Sequence, residues 1–196
     1  MTNNKLLRKL IREMIDQKLV YHLSPEHDIE KFEPREFVFS DDGVTSGAVG
    51  TSSLKGRVER LVYASPAEWA PLYSLPRETP RAFIQREDDV FGALVEKLPG
   101  FNVGERNMLV SRRDIPEMKS HSWTVYAFNA SDFQPLDPEG IEWVSRKEAV
   151  PVSKKRMRDS VKFLIDSGIN VIPVDDVKSL VEELWEEGYQ VNAEGV

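Results

Sequence analysis

Apolar residues first recur at helical spacing. Leu6, Leu7, Leu10, Ile11, Met14 and Ile15 alternate with Lys5, Arg8, Lys9, Arg12 and Lys18, against only Glu13 and Asp16. Over residues 1–18 this predicts an amphipathic basic helix, either packed on the domain or serving as a docking arm. The run Lys18 to Ser24 then predicts a buried strand that stops at Ser24-Pro25. Residues 26–37 carry Ile29, Phe32, Pro34 and Phe37 without a period, so an irregular packed segment is expected. Asp41 to Gly56 holds four glycines among Ser and Thr, which reads as a loop, either plain surface or a lid over a ligand.

Leu61 to Ala64 predicts a second strand. Ser65-Pro66-Ala67-Glu68 has capping-box spacing with proline at the first helical position. A short helix is expected there, setting Trp69 and Tyr73 on one face and ending at Leu75-Pro76. A further helix is expected from Asp88 to Leu98, closed by Pro99-Gly100, with strands at Asn107–Ser111 and Ser122–Asn129. Ile141–Ser145 and Ala149–Val152 are short strand candidates. Ser153 is placed to cap a helix carrying Met157, Val161, Leu164 and Ile165, stopped by Gly168. Its opening Lys154-Lys155-Arg156, with Arg158, opposes the helix dipole and reads as a solvated face or an anion contact. Ile169–Val174 is strand-like. Asp175 or Asp176 caps a last helix with Val177, Leu180, Val181, Leu184 and Trp185 inward and Glu182, Glu183, Glu186 and Glu187 outward. The whole reads as the helix 1–18 followed by one α+β domain over 19–196.

Composition narrows the chemistry. The 196 residues carry a net charge of −7 and no cysteine. This excludes thiol nucleophiles, disulfides and Cys-based zinc or iron–sulfur sites, and it makes nucleic acid the less favoured partner. The three histidines, His22, His27 and His121, lack paired ligand spacing, so no metal is expected; His27 and His121 read as surface residues. No apolar run approaches the roughly 20 residues of a membrane helix, and the chain begins without a secretory signal pattern; a cytoplasmic protein with no membrane partner is expected. Nucleophile-elbow, Walker A, dinucleotide-fingerprint and calcium-loop patterns are absent from the sequence.

What remains is positional. One strand ends Tyr21-His22-Leu23-Ser24, a second runs Val62-Tyr63-Ala64-Ser65 into a helix carrying Tyr73, and a later strand opens Glu142-Trp143-Val144-Ser145. This order resembles the ADP-ribosyltransferase fold of the diphtheria-toxin and PARP-like branch. The stretches YHLSPEHDIEKFEPR and LVYASPAEWAPLYSLP are similar to segments of its small phage and bacterial members. The resemblance covers Val20 to Val152 through short motifs. It implies a split, mainly antiparallel sheet with flanking helices and NAD as substrate.

On that resemblance, His22 holds the adenosine ribose and the backbone at Leu23-Ser24 clamps the nicotinamide amide. Tyr73 stacks on the nicotinamide ring, with Tyr63 as the substitute. Glu142 bonds the nicotinamide ribose and stabilises positive charge as nicotinamide leaves. Arg35 and Arg81 are the pyrophosphate candidates, since a guanidinium pairs bidentately with phosphate oxygens. The sequence departs from the family at three points. Leu23 follows the histidine where glycine is usual. Gly140 stands where arginine-modifying members carry Glu or Gln, which points to another acceptor or to NAD hydrolysis. Tyr21 precedes the histidine where RNA 2′-phosphotransferases have arginine. The partner implied is a protein acceptor, or a host protein if the source is a phage. The competing readings are a non-catalytic protein-binding domain of similar fold, and an RNA-end or nucleotide-end binder using Lys154 to Arg158.

Overall fold

Among the residues described by a computed structural model are eleven strands and three short α-helices. It describes residues 19–38, 58–76, 79–84, 98–102, 106–136, 140–187 and 191–194. In chain order the strands are β1 (Leu19–Ser24), β2 (Arg35–Val38), β3 (Val58–Pro66), β4 (Arg81–Ile84), β5 (Arg106–Ser111), β6 (Ser122–Asn129), β7 (Gln134–Pro135), β8 (Trp143–Ser145), β9 (Ser153–Arg158), β10 (Ile169–Val174) and β11 (Asn192–Glu194). The helices are α1 (Ile115–Ser120), α2 (Ser160–Asp166) and α3 (Val177–Glu186). The chain divides into two compact units, Met1–Ser74 with Ser122–Met157, and Leu75–His121 with Arg158–Val196. The class is α+β. The expected helix 1–18, the glycine loop at 41–56 and nearly all of the helix at 88–98 lie outside the described residues.

The first unit is built on a seven-stranded sheet in the order β7-β8-β3-β1-β6-β9, with β2 also paired to β3. β1 pairs antiparallel with β6 along its whole length, from Leu19 opposite Asn129 to Ser24 opposite Thr124. Against β3 it pairs only through Val20–Pro66 and Tyr21–Ser65. Side chains alternate across these strands, and both faces are covered. On one face Val20, Val62, Ala64, Tyr126 and Phe128 pack with Phe32 and Phe133. On the other, Tyr21 and Ala127 pack with Ala70, and Leu61 packs with Val144 and Tyr63. Burial on both faces explains why β6 carries apolar residues on both sides, Tyr126 and Phe128 on one and Val125 and Ala127 on the other.

The second unit carries a four-stranded sheet, β10-β5-β4-β11, in which only β10 and β5 run parallel. The acidic helix α3 buries Val177, Val181 and Leu184 against Leu109, Ile172 and Ala82. Of the two cap candidates the sequence offers, Asp175 and Asp176, it is Asp176 that caps it, through the amide of Ser179 at 3.1 Å. Trp185, expected inward, is half-exposed at 51 %, and its indole N–H donates to the Val191 carbonyl.

Several local expectations give way to tertiary pairing. Residues 35–37, the end of the stretch expected to be irregular, form β2 together with Val38 because Arg35 to Val38 find the edge of β3 opposite Leu61 to Val58. β3 itself runs from Val58, longer than its four-residue apolar centre. Ser65-Pro66 opens no α-helix: the strand continues through Pro66, and Ala70–Ser74 forms a 3-10 turn. Leu72 N–H donates to the Trp69 carbonyl, a three-residue step, so Trp69 and Tyr73 do not share a helical face. Ala149–Val152 contributes only a single bridge, Ala149 to Phe32. Ser153 caps nothing; Ser153–Arg158 is an edge strand, and the helix starts at Ser160. The cationic run opposes a helix N-terminus, whereas Asp159, at φ 63°, caps α2 by accepting from the Lys162 amide at 2.9 Å.

Candidate functional site

Within the first unit two groups of predicted residues form, one on each face of the central sheet. The first surrounds His22. Its ring stands on the face shared by Val20 and Tyr126 and meets Phe32 edge-on at 4.8 Å. Phe32 in turn meets Tyr126 at 5.0 Å and Phe128 at 5.3 Å. His22 Nδ1 lies 2.8 Å from the Tyr63 carbonyl. A carbonyl can only accept, so Nδ1 carries the proton and the neutral ring presents Nε2 as an acceptor. The segment after β1 is pinned by Tyr126, whose hydroxyl accepts from the Ile29 amide and donates to the Glu26 carbonyl.

Burial holds the His22 pKa below its ordinary 6.5; the bond to Tyr63 opposes this, and the nearby Arg35 charge adds to it. The unfolded chain therefore takes up this proton at a higher pH than the folded one. The site's contribution is complete above about pH 6.5 and is lost as pH falls, by up to about 1.4 kcal/mol per pH unit. His121 shifts in the same direction, also through burial. The urea midpoint is expected to fall between roughly pH 7 and pH 5, and His22→Gln to flatten that fall to the part due to His121. An identical pH dependence in the variant would refute the assignment.

Arg35 lines a groove of about 870 Å³ with Phe32, Lys31, Arg60, Glu33 and Glu36. Its charge reaches His22, so these two predicted ligand contacts share a neighbourhood. Arg81 belongs to the second unit, where its guanidinium donates to the carbonyls of Pro76 and Thr79 at 3.3 Å each. Ser24 is buried and its hydroxyl accepts from the Glu26 amide, closing the turn after β1. Leu23 packs with the Tyr21 layer, on the face opposite His22. His27, expected at the surface, is half-buried with Nδ1 2.9 Å from the Thr124 hydroxyl; His121 is half-buried too.

The second group lies on the opposite face. Tyr73, on the 3-10 turn, donates to Glu142 Oε1 at 3.3 Å across 69 residues of sequence. Glu142 is 5 % exposed. It precedes β8, whose Trp143 pairs with Ala64 of β3, which sets Glu142 beside Ser65; the Ser65 hydroxyl donates to the adjacent Ile141 carbonyl at 2.7 Å. Tyr63 shares this face: burial pushes its phenol pKa well up, and the charges of Glu142 and Glu59 push it further. Sequence reasoning held Tyr63 only as a substitute for Tyr73, whereas the fold sets both beside the same carboxylate. The nearby Tyr21 hydroxyl is buried with no hydrogen-bond partner among the described residues.

This arrangement holds a carboxylate in low dielectric against phenols, where its charge acts strongly on any cation formed beside it. Tyr73 and Glu142 are thus brought together, while His22 faces the other layer and touches this group only through the backbone of Tyr63. Among the described residues no helix is long and apolar enough to cross a membrane.

Residues 21–193 match the model of a family of unknown function, DUF6886. No curated protein and no solved structure matches.

Proposed function

Since the chain belongs to DUF6886, a family of unknown function, its activity has to be read from its residues, and we propose that it is an NAD-consuming enzyme of ADP-ribosyltransferase-like type. The observation that supports this is the Tyr73–Glu142 hydrogen bond, which joins the two residues that the resemblance assigns to the nicotinamide end of NAD. The mainly antiparallel sheet, with β1 leaving β3 after Tyr21, agrees with a split sheet of that type.

In this reading the bond between the ribose carbon and the nicotinamide nitrogen breaks, and nicotinamide leaves with the electron pair. Glu142, oriented by the Tyr73 hydroxyl, stabilises the oxocarbenium-like sugar more strongly than the ground state. Water or a protein side chain then attacks that carbon and loses its proton. Catalysis at a carboxylate this buried requires the covering turn at Ala70–Ser74 to shift. His22, through Nε2, and Arg35 serve the adenosine and pyrophosphate end, approached from the other face where β1 and β3 separate. No metal takes part, and the acceptor is a protein or water.

A second reading, a non-catalytic protein-binding domain of similar fold, is favoured by one observation: His22 and Glu142 face opposite sides of the sheet. Calorimetric titration with NAD, combined with chromatographic detection of nicotinamide, decides between them. Saturable binding with turnover supports the enzyme. Absence of binding at millimolar NAD overturns it and leaves the binding domain.

A further inference from the structure

The strand β9 is the outer strand of the seven-stranded sheet, and among the described residues nothing pairs beyond it. Its residues Ser153 to Arg156 are all exposed. Lys154, Lys155 and Arg156 are consecutive, so their charges emerge on both faces of the strand. Lys154 lies 3.6 Å from the exposed Asp28; Lys155 and Arg156 have no ion-pair partner among the described residues. Just before the strand, Val150 and Val152 are 68 % and 53 % exposed.

A free sheet edge offers a row of N–H and C=O groups to any extended chain. Lysines on such an edge discourage pairing with neutral or cationic strands. Three adjacent cations repel one another and concentrate positive charge in a chain of net charge −7. We propose that β9 is a docking edge for an extended acidic segment of a partner protein, which adds as a further strand. The edge supplies main-chain hydrogen bonds, Lys155 and Arg156 pair with its carboxylates, and Val150 and Val152 receive apolar residues at one end. A nucleic acid meets the same charges but has no peptide ladder to offer, so the edge favours a polypeptide. This surface is separate from the Glu142 group and stands whether or not NAD is turned over.

The test uses the full chain and fluorescence anisotropy with three probes. These are a short peptide alternating glutamate and valine, the same peptide with proline at its centre, and an oligothymidylate of equal length. The alternating peptide is expected to bind. Central proline, which removes a ladder donor, weakens it about tenfold. The double variant Lys155→Glu with Arg156→Glu weakens it about tenfold or more. Lys155→Gln with Arg156→Gln gives a smaller loss in the same direction, and an unchanged melting curve shows that either variant folds. Equal binding of the proline peptide, tighter binding of the oligothymidylate, or no peptide binding at about 100 μM each overturns the proposal.

Discussion

If the proposed NAD chemistry holds, Glu142→Gln is expected to lower nicotinamide release by about a thousandfold, equivalent to roughly 4 kcal/mol of transition-state stabilisation, while leaving the urea midpoint unchanged or slightly raised. The amide keeps the shape of the side chain and an acceptor oxygen for the Tyr73 hydroxyl, now 3.3 Å away. What it removes is the negative charge, which in the proposed reaction stabilises the cationic sugar and which is costly to bury. The two readouts therefore separate. A variant that folds as well as the parent and releases nicotinamide at the parental rate would exclude Glu142 from the chemistry. Equal losses of stability and activity would instead make it a structural carboxylate holding the turn at Ala70–Ser74.

Phe128→Ala is expected to cost about 3–5 kcal/mol, a large share of the roughly 5–15 kcal/mol that keeps a domain folded. Phe128 is 1 % exposed and lies 5.3 Å from both Phe32 and Phe133. Truncation leaves a cavity in the layer that also seats His22. Loss of the Phe32 contact additionally loosens the segment that crosses this face. Urea unfolding measures the effect. A loss below about 1.5 kcal/mol would show that the layer collapses around the gap.

Much of this fold is legible in the chain because its pattern is local. β1, β5, β6 and β10 announce themselves by apolar runs, and Asp176 and Gly168 mark helix ends by their chemistry. β2 and β9 are not legible in that way. Arg35-Glu36 and Lys154-Lys155-Arg156 carry no apolar signal, and they are strands only because a partner strand satisfies their backbone. The turn after β3 shows the same limit: Ser65-Pro66 has the spacing of a helix cap, yet pairing with Tyr21 and Val20 of β1 keeps it extended. In the candidate site, residue order brings Tyr73 and Glu142 to one place. It does not give the face each side chain takes. One residue of parity in β1 sets His22 on the layer opposite Tyr21, and a list of ordered motifs carries no record of parity. Tyr63, also on a strand, is legible as a site neighbour only through that same alternation.

The interleaving of the two units has a consequence for how the chain is made. β1 needs β6, some hundred residues later, to fill one side, and the first unit is closed only when residues up to Met157 have been synthesised. At a ribosome rate of about 5–20 residues per second, β1 waits roughly 5–20 s with an unfilled edge. Neither unit is a contiguous stretch that could fold behind the exit tunnel while the other is still being translated. Synthesis of this chain therefore exposes strand edges to nascent-chain chaperones for longer than two tandem domains of the same size would, and slowing translation prolongs that exposure.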